Sequence, residues 1–256
     1  MSETVRAVER ALAILTCFDN EHSQLGITEI ADQVHLAKST VHRILVTLES
    51  WGFIQQDEVS SRYQLGLRLF ELGAVVGNSL ALRQVALPVL EQLSRETQET
   101  VLLVVYDVGE VVYLDVLECP QPVKIDARPG KRLPAHCTAS GKAFLSVLPQ
   151  AEVDRVLSRP LIRRTPNTIT DSNELRKDLA LTRSRGYSIS NEEYNFGIRA
   201  VGVPILSEKA GVWGVVSVAG PAFRLSDDII LRLAEQTKRA ARRISERIAG
   251  RGGGLE

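Results

Sequence analysis

Between Lys38 and Leu48 the chain carries Lys38, Ser39, Thr40, His42 and Arg43 and no carboxylate. Wound as a helix at 100° per residue, this stretch puts Val41, Leu45 and Leu48 on one face and Ser39, Arg43 and Val46 on the other. Thr40 and His42 flank that outer face, and Lys38 sits at its start. Two hydroxyls, an imidazole, a guanidinium and an ammonium on one solvent-facing surface are the groups that contact phosphates and base edges. From the strand–turn–strand pattern that follows, Arg62 and Tyr63 are expected to reach the nucleic-acid backbone or the minor groove. Bulk charge points the other way. Residues 1–80 hold six Lys/Arg against ten Asp/Glu, a net charge of −4. DNA reading and a winged helix that binds protein, or a plain three-helix bundle, therefore both stand on pattern alone.

The second half offers several fragments of chemistry. Ser140-Gly141-Lys142 echoes the end of a phosphate-binding loop, but the glycine that the full motif needs is His136. His136-Cys137 and Cys119 lack any CxxC or HxxxH companion, so metal-ligand spacing is missing. Only His136 could serve a Ser-His-Asp or Cys-His device, and a loop histidine beside a buried thiol is the preferred reading. Glu192-Glu193 reads as a solvated or salt-bridged loop. No catalytic set, cofactor motif or metal set follows. What remains is a ligand-pocket pattern. Thr138-Ala139-Ser140-Gly141 opens a helix with small side chains, and accessible N–H groups at a helix N-terminus favour an anion. Ser190-Asn191 ends a strand with polar groups, and Ser217 is a lone hydroxyl in the apolar run 215–220. A mostly apolar cavity with a few polar groups is the usual form of a small-molecule site. A Ser217 hydroxyl bonded to a neighbouring backbone explains the same residue.

These residues need elements to hold them. Three helical patterns open the chain: Val5, Val8, Leu12 and Leu15; Ile27, Ile30, Ala31 and Val34, with Thr28 as N-cap; and Val41, Ile44, Leu45 and Leu48. The break after the first is Asp19–Ser23, and a short turn near Val34–Ala37 makes the second and third a helix-turn-helix. Trp51–Ile54 and Arg62–Leu65 form the hairpin of a wing. A helical stretch from Leu67 to Thr97 follows, with Leu69, Leu72, Val76, Leu80, Val85, Leu90 and Leu93 on one face and Gly73, Gly77 and Pro88 weakening it. From Thr100 the period becomes that of strands: Val101–Tyr106, Val111–Leu117, Val123–Ala127, Tyr187–Ser190, Arg199–Leu206 and Val212–Val218. Thr138 or Ser140 caps a helix through Leu148. Asp171 or Ser172 starts another, closed by Gly186. Ser226 caps a last helix. The fold class is α+β, a mainly antiparallel sheet with helices packed on it.

The 256 residues carry 31 Lys/Arg and 31 Asp/Glu, so neither a polybasic nor an acidic chain is in play. Aromatics are 5%, too few for base stacking to dominate. Three dispersed cysteines fit a reducing compartment. No apolar run has the length of a membrane span, and the polar N-terminus is unlike a signal peptide. A cytoplasmic protein with no membrane contact is expected. The terminal GRGGGLE reads as a floppy tail.

Eight segments, in order, closely resemble the IclR-type bacterial transcription regulators over essentially the full length. They are AVERALAIL (7–15), ITEIA (27–31), KSTVHRILVTLESWGF (38–53), YQLGLRLFELG (63–73), ETVLLVV (99–105), LPAHCTASGKAFL (133–145), RSRGYSISNEEYNFGIRAVGVPI (183–205) and GVVSVAGP (214–221). The resemblance implies a winged helix-turn-helix over 1–75, a linker helix at 76–84, a GAF-like effector domain over 85–250 and a disordered tail at 251–256. It implies a homodimer or a dimer of dimers (a homotetramer) on pseudo-palindromic operator DNA, with repression as the commoner sign of control. It places the recognition helix at 38–50. Ala139 and Ser140 become backbone donors to the carboxylate of a small organic acid, and Ser190, Asn191, Ala200, Ser217 and Ala219 line its pocket. Certain small-acid sensors of this family carry an acid at the position of Ser190, a thiol at Ala200 or a hydroxyl at Ala219. Their replacement here implies a less polar, roomier pocket and admits an aromatic acid. The competing expectations are an enzyme acting on such an acid with an accessory DNA-binding head, and a protein-interaction module.

Overall fold

The computed structural model describes residues 4–19, 22–75, 77–207 and 211–251. The chain divides by its contacts into two units, Met1–Gly77 and Asn78–Glu256.

The first unit contains α1 (Arg6–Leu15), α2 (Ile27–Val34), α3 (Lys38–Ser50), the hairpin β1 (Ile54–Gln56) and β2 (Tyr63–Leu65), and α4 (Arg68–Val75). Its core gathers Ile14, Phe18, Leu25, Ile30, Val41, Leu45, Ile54 and Tyr63. A left-handed His35 ends α2, and an extended Ala37 precedes α3, which gives the short turn of a helix-turn-helix. α2 begins two residues earlier than the expected cap implies. Gly26 is its N-cap, and Glu29 accepts from the Gly26 N–H at 2.6 Å, so Thr28 lies inside the first turn. The buried stripe of α1 also differs. Val5, Val8 and Leu12 are exposed, while Ile14, Phe18 and the half-buried Leu15 face inward. Two apolar stripes share this helix, and the core takes the one that carries Ile14 and Leu15 near its C-terminal end. The wing strand starts at Ile54, because the C-cap Trp51 and a left-handed Gly52 turn the chain out of α3 first. On α4, Leu72 and Phe70 are exposed as well, as is Leu67 just before it.

The second unit starts with α5 (Gly77–Thr97), which passes through Pro88 without ending. The 76–84 segment expected as a separate linker is therefore mostly the first part of this helix. Val76, the Leu80 side chain, Asn20, Glu21 and the tail beyond Arg251 lie outside the described residues. Then follow β3 (Thr100–Asp107), β4 (Glu110–Leu117), β5 (Arg132–Pro134), a 3-10 turn (Ala135–Cys137), α6 (Ala139–Val147), α7 (Gln150–Leu157), α8 (Ser172–Arg185), β6 (Ser188–Asn191), β7 (Ile198–Ser207), β8 (Gly211–Pro221) and α9 (Asp227–Arg251). The strands form one antiparallel sheet in the order β5-β4-β3-β8-β7-β6. Alternation sorts its side chains. Val101, Leu103, Val201, Val203, Val216 and Val218 pack with α5 and α9 on one face. Leu102, Val104 and Val215 pack with α6, α7 and α8 on the other.

Two local readings change. Val123–Ala127 is not a strand; the edge strand is β5, eight residues further on, paired to β4. Pro122 has no N–H to offer a ladder, Val123 is exposed, and the Gly130 turn resets the chain before it pairs. Helix α7 was not anticipated, although Pro149 directly before it suits a helix start. The helix expected from Asp171 is found with Asp171 accepting from Asn173 and Glu174 N–H, and Gly186 closes it in the left-handed conformation. Thr138, not Ser140, caps α6.

The β3–β4 hairpin turns on Val108 and Gly109, both with positive φ, at 45° and 90°. A two-residue turn of this kind favours Asn-Gly, and a β-branched residue is strained in the left-handed region. Val108→Asn should raise the stability of the second unit by about 1 kcal/mol, read as a higher urea midpoint at constant slope.

Candidate functional sites

Each unit presents one site. On the first, the outer face of α3 carries the exposed Lys38, Ser39, His42, Arg43 and Val46, with Thr40 half-buried beside them. None of the polar side chains in this set has a hydrogen bond or ion pair among the described residues, so all five remain available to a ligand. The wing residues behave differently. Tyr63 is 4% exposed and belongs to the core, so the expected contact of its side chain with DNA is withdrawn. Its position facing Leu25 across a β-bridge turns the ring inward. Arg62 stays half-exposed but is engaged. Its guanidinium reaches Glu29 at 2.7 Å and the Gln24 carbonyl at 3.0 Å. The Gly26 N–H and then Arg62 hold the Glu29 carboxyl below its ordinary range. Arg62 thus ties the wing to the start of α2.

The second site is a cavity on the α6 side of the sheet. Strand register builds its floor. Ser190 faces Ala200, which faces Ala219, and in the next row Ser188, Gly202, Ser217 and Leu102 stand side by side. Small side chains on adjacent strands leave a hollow, and α6 enters it by its N-terminus. Thr138 Oγ1 accepts from the Gly141 N–H at 3.2 Å, and the Thr138 carbonyl takes the Lys142 N–H. The two N–H groups between them, on Ala139 and Ser140, have no acceptor among the described residues. Both residues line the cavity. Two unpaired donors at the positive end of a helix dipole form an anion seat.

This turn is held by close packing. A Cβ on Gly202 would stand 2.6 Å from the Ala139 carbonyl oxygen, and one on Gly141 would stand 2.1 Å from that of Ala135. Ser188 Oγ donates to the same Ala139 carbonyl at 2.5 Å. Of the residues expected in the pocket, Ala139, Ser140, Ser190, Ala200, Ser217 and Ala219 line it. Asn191 does not; it lies one strand position past Ser190, on the opposite side of the pleat, and its carbonyl accepts from Asn167 Nδ2. Ser217 Oγ is spent on the Val201 carbonyl at 2.7 Å, so it supplies volume more than a free donor. Neither His136 nor Cys137 lines the cavity. His136 Nε2 faces the Ile162 carbonyl at 3.1 Å, and burial lowers the ring's pKa. Burial pushes the Cys137 thiol up to about 12, which removes a thiolate nucleophile at neutral pH.

Sequence reading missed the remaining walls. Leu102, Leu133, Ile125 and Ile198 give an apolar body, and Tyr113, Tyr194 and Asn195 give polar tips. Burial holds the Tyr113 phenol well above its ordinary range, so it enters the site as a hydrogen-bonding O–H. Lys131 and Asp126 pair at 2.7 Å at the same cavity. An anion seat at one end, an apolar middle and phenols at the side suit a carboxylate on a flat or extended apolar frame.

Residues 74–246 match the model described as the bacterial transcriptional regulator IclR C-terminal domain, and residues 7–58 match the IclR helix-turn-helix domain. The chain is 35% identical to the HTH-type transcriptional regulator XynR of Escherichia coli K12, across 94% of this chain and 96% of that one. It is 31% identical to the transcriptional repressor IclR of the same organism, across 94% and 89%. Among solved structures it resembles an IclR homolog from Microbacterium hydrocarbonoxydans complexed with 4-hydroxybenzoate, with TM-score 0.85, 28% identity and coverage of 95% and 99%. It also resembles the IclR of Thermotoga maritima, with TM-score 0.76, 32% identity and coverage of 94% and 98%.

The α3 face and the buried wing tyrosine separate two variants. Arg43→Ala should weaken DNA binding by at least tenfold, about 1.4 kcal/mol, while Tyr63→Phe leaves it within twofold. Fluorescence anisotropy on labelled duplex checks both.

Proposed function

This chain belongs to the IclR family of bacterial transcriptional regulators, and we infer that it is a repressor released or tightened on its operator by an aromatic carboxylic acid. The observation that carries the effector class is the cavity itself: two N–H groups on Ala139 and Ser140 without an acceptor among the described residues face a space walled by Leu102, Leu133 and Ile198, with Tyr113, Tyr194 and the Lys131–Asp126 pair at its border. The small side chains of Ser190, Ala200 and Ala219 leave room for a ring where a bulkier or charged floor would select a two- or three-carbon acid. The structural neighbour with 4-hydroxybenzoate bound supports an acid of this shape. Its phenol would meet the tyrosine side of the cavity when its carboxylate sits on α6.

In this reading α3 enters the major groove with Ser39, Thr40, His42 and Arg43 toward the bases and Lys38 toward phosphate. The protein works in the cytoplasm as a homodimer or a dimer of dimers. Its operator is a pseudo-palindrome with half-sites about one helical turn apart or a multiple of it. The acid acts by its differential affinity for two arrangements of the assembly, and the operator must change the acid's affinity by the same factor. No enzymatic step is invoked; the relatives are named regulators and repressors.

Calorimetric titration with benzoate, 4-hydroxybenzoate, benzamide, pyruvate and glyoxylate tests the effector class. The aromatic acids should bind, and the uncharged amide and the short acids should bind at least tenfold more weakly. Ala139→Pro removes one donor at a helix position that accommodates proline and should cost at least tenfold in acid affinity, about 1.4 kcal/mol, with an unchanged far-ultraviolet spectrum. Benzamide binding as tightly as benzoate would contradict the anion seat.

A further inference from the structure

One turn past the anion seat, α6 carries a lysine that is almost completely enclosed. Lys142 is 1% exposed, among the largest fully buried side chains of the described residues. Its ammonium lies 2.6 Å from Glu193 Oε1 and 3.0 Å from Asp178 Oδ2. Glu193 is itself 5% exposed. It belongs to the loop between β6 and β7, residues 192–197, whose Tyr194 and Asn195 form part of the cavity wall. That loop is gripped from its other side as well. Thr168 Oγ1 donates to the Glu193 carbonyl and Thr165 Oγ1 to the Glu192 carbonyl, both at 2.6 Å. The Glu192 side chain closes the loop on itself by accepting from the Gly197 N–H at 2.6 Å.

Stability alone gives a poor reason for such a pair. Taking two charges out of water costs several kcal/mol each, and an apolar pair of similar volume is often as stable or more so. Here the compensation is incomplete: Glu193 Oε2 is buried without a hydrogen-bond partner. Burial raises the Glu193 carboxyl's pKa, against the pull of Lys142 and with a further push from Asp178. A carboxyl raised in the folded state favours folding most below its unfolded pKa and loses that contribution as pH rises through its folded one. Burying Lys142 against Glu193 is thus a poor route to maximal stability, and the placement of the two side chains calls for another reason.

We propose that the buried Lys142–Glu193 pair is the positioning element of the effector pocket, setting the 192–197 wall against the first turn of α6. The pair joins the two parts of the cavity that no backbone ladder connects: the helix that binds the carboxylate and the loop that presents Tyr194 and Asn195 to the rest of the ligand. Lys142 and Glu193 touch no ligand; they fix the separation of groups that do. This inference rests on the effector-site reading above.

The test uses the full chain with the double replacement K142M/E193M, followed by thermal unfolding, amide hydrogen exchange and calorimetry with 4-hydroxybenzoate as probe. The expected result is an unfolding midpoint equal to or above that of the unmodified chain. Exchange over 192–197 should be at least tenfold faster while β3 and β8 are unchanged, and the dissociation constant for the probe should rise at least tenfold. Unchanged exchange over 192–197, or an unchanged dissociation constant at equal midpoint, would overturn the proposal. Should the double variant fail to fold, Glu193→Gln, which keeps the volume and removes the charge, carries the same comparison with at least a threefold effect expected in both readouts. If the unmodified chain binds none of the acids, the effector-site reading fails, and the exchange result alone decides whether the pair sets the loop.

Discussion

The close approach of the first turn of α6 to the sheet governs the second unit. Gly202 and Gly141 leave no space for a side chain between the turn and its neighbours, and Ser188 holds the Ala139 carbonyl from below. A helix lowered this far onto β7 cannot place its N-terminal donors in bulk water. They face the hollow left by the serines and alanines of β6, β7 and β8. A helix-end anion seat is weak when exposed, because solvent screens the dipole; in a partly enclosed apolar cavity the same groups bind more strongly.

The two units solve different electrostatic problems. The first is net acidic over residues 1–80, yet one helix face is free of carboxylates and its polar side chains have no partner among the described residues. Association with DNA then depends on a local patch, and the surrounding acid opposes non-specific adherence. Arg62 illustrates the division: a basic wing residue pairs with Glu29 inside the unit, whereas Lys38 and Arg43 on α3 have no such partner among the described residues. The second unit hides its strongest charges, Lys142 and Glu193, and exposes an uncharged anion seat. The proposed acid would thereby meet backbone N–H groups that carry no titrating proton, and a Tyr113 phenol that burial holds well above its ordinary range.

Much of the fold could be read from the chain because its signals are local. The α2–α3 turn, the N-caps Thr138 and Asp171, the C′ glycine at 186 and the hairpin at 107–110 each depend on a few adjacent residues. Most of the pocket floor, Ser190, Ala200, Ser217 and Ala219, was implied by the family resemblance, and strand alternation is what puts these residues on one face. Asn191 failed for the same reason, being on the wrong side of the pleat. Longer-range features were not legible. α1 has two usable apolar stripes, and only the position of α3 decides between them. The segment 123–127 has strand composition without a partner. Tyr113, Tyr194 and Asn195 come to the cavity through sheet order and loop closure, and Lys142 finds Glu193 51 residues later with no local mark of either. The Gly141 that precedes Lys142 was a usable hint: a glycine in the first turn of a helix implies a backbone pressed against it.

The most direct test of the account is an anisotropy titration of the intact chain against DNA upstream of its own coding region. It is run beside a scrambled duplex, at several salt concentrations, with and without 4-hydroxybenzoate. The account predicts saturable binding that prefers the native DNA by about a thousandfold or more. It also predicts log K falling linearly with log salt, and a shift in operator affinity when the acid is present. Equal affinity for both duplexes at every salt concentration, with no response to the acid, would contradict it.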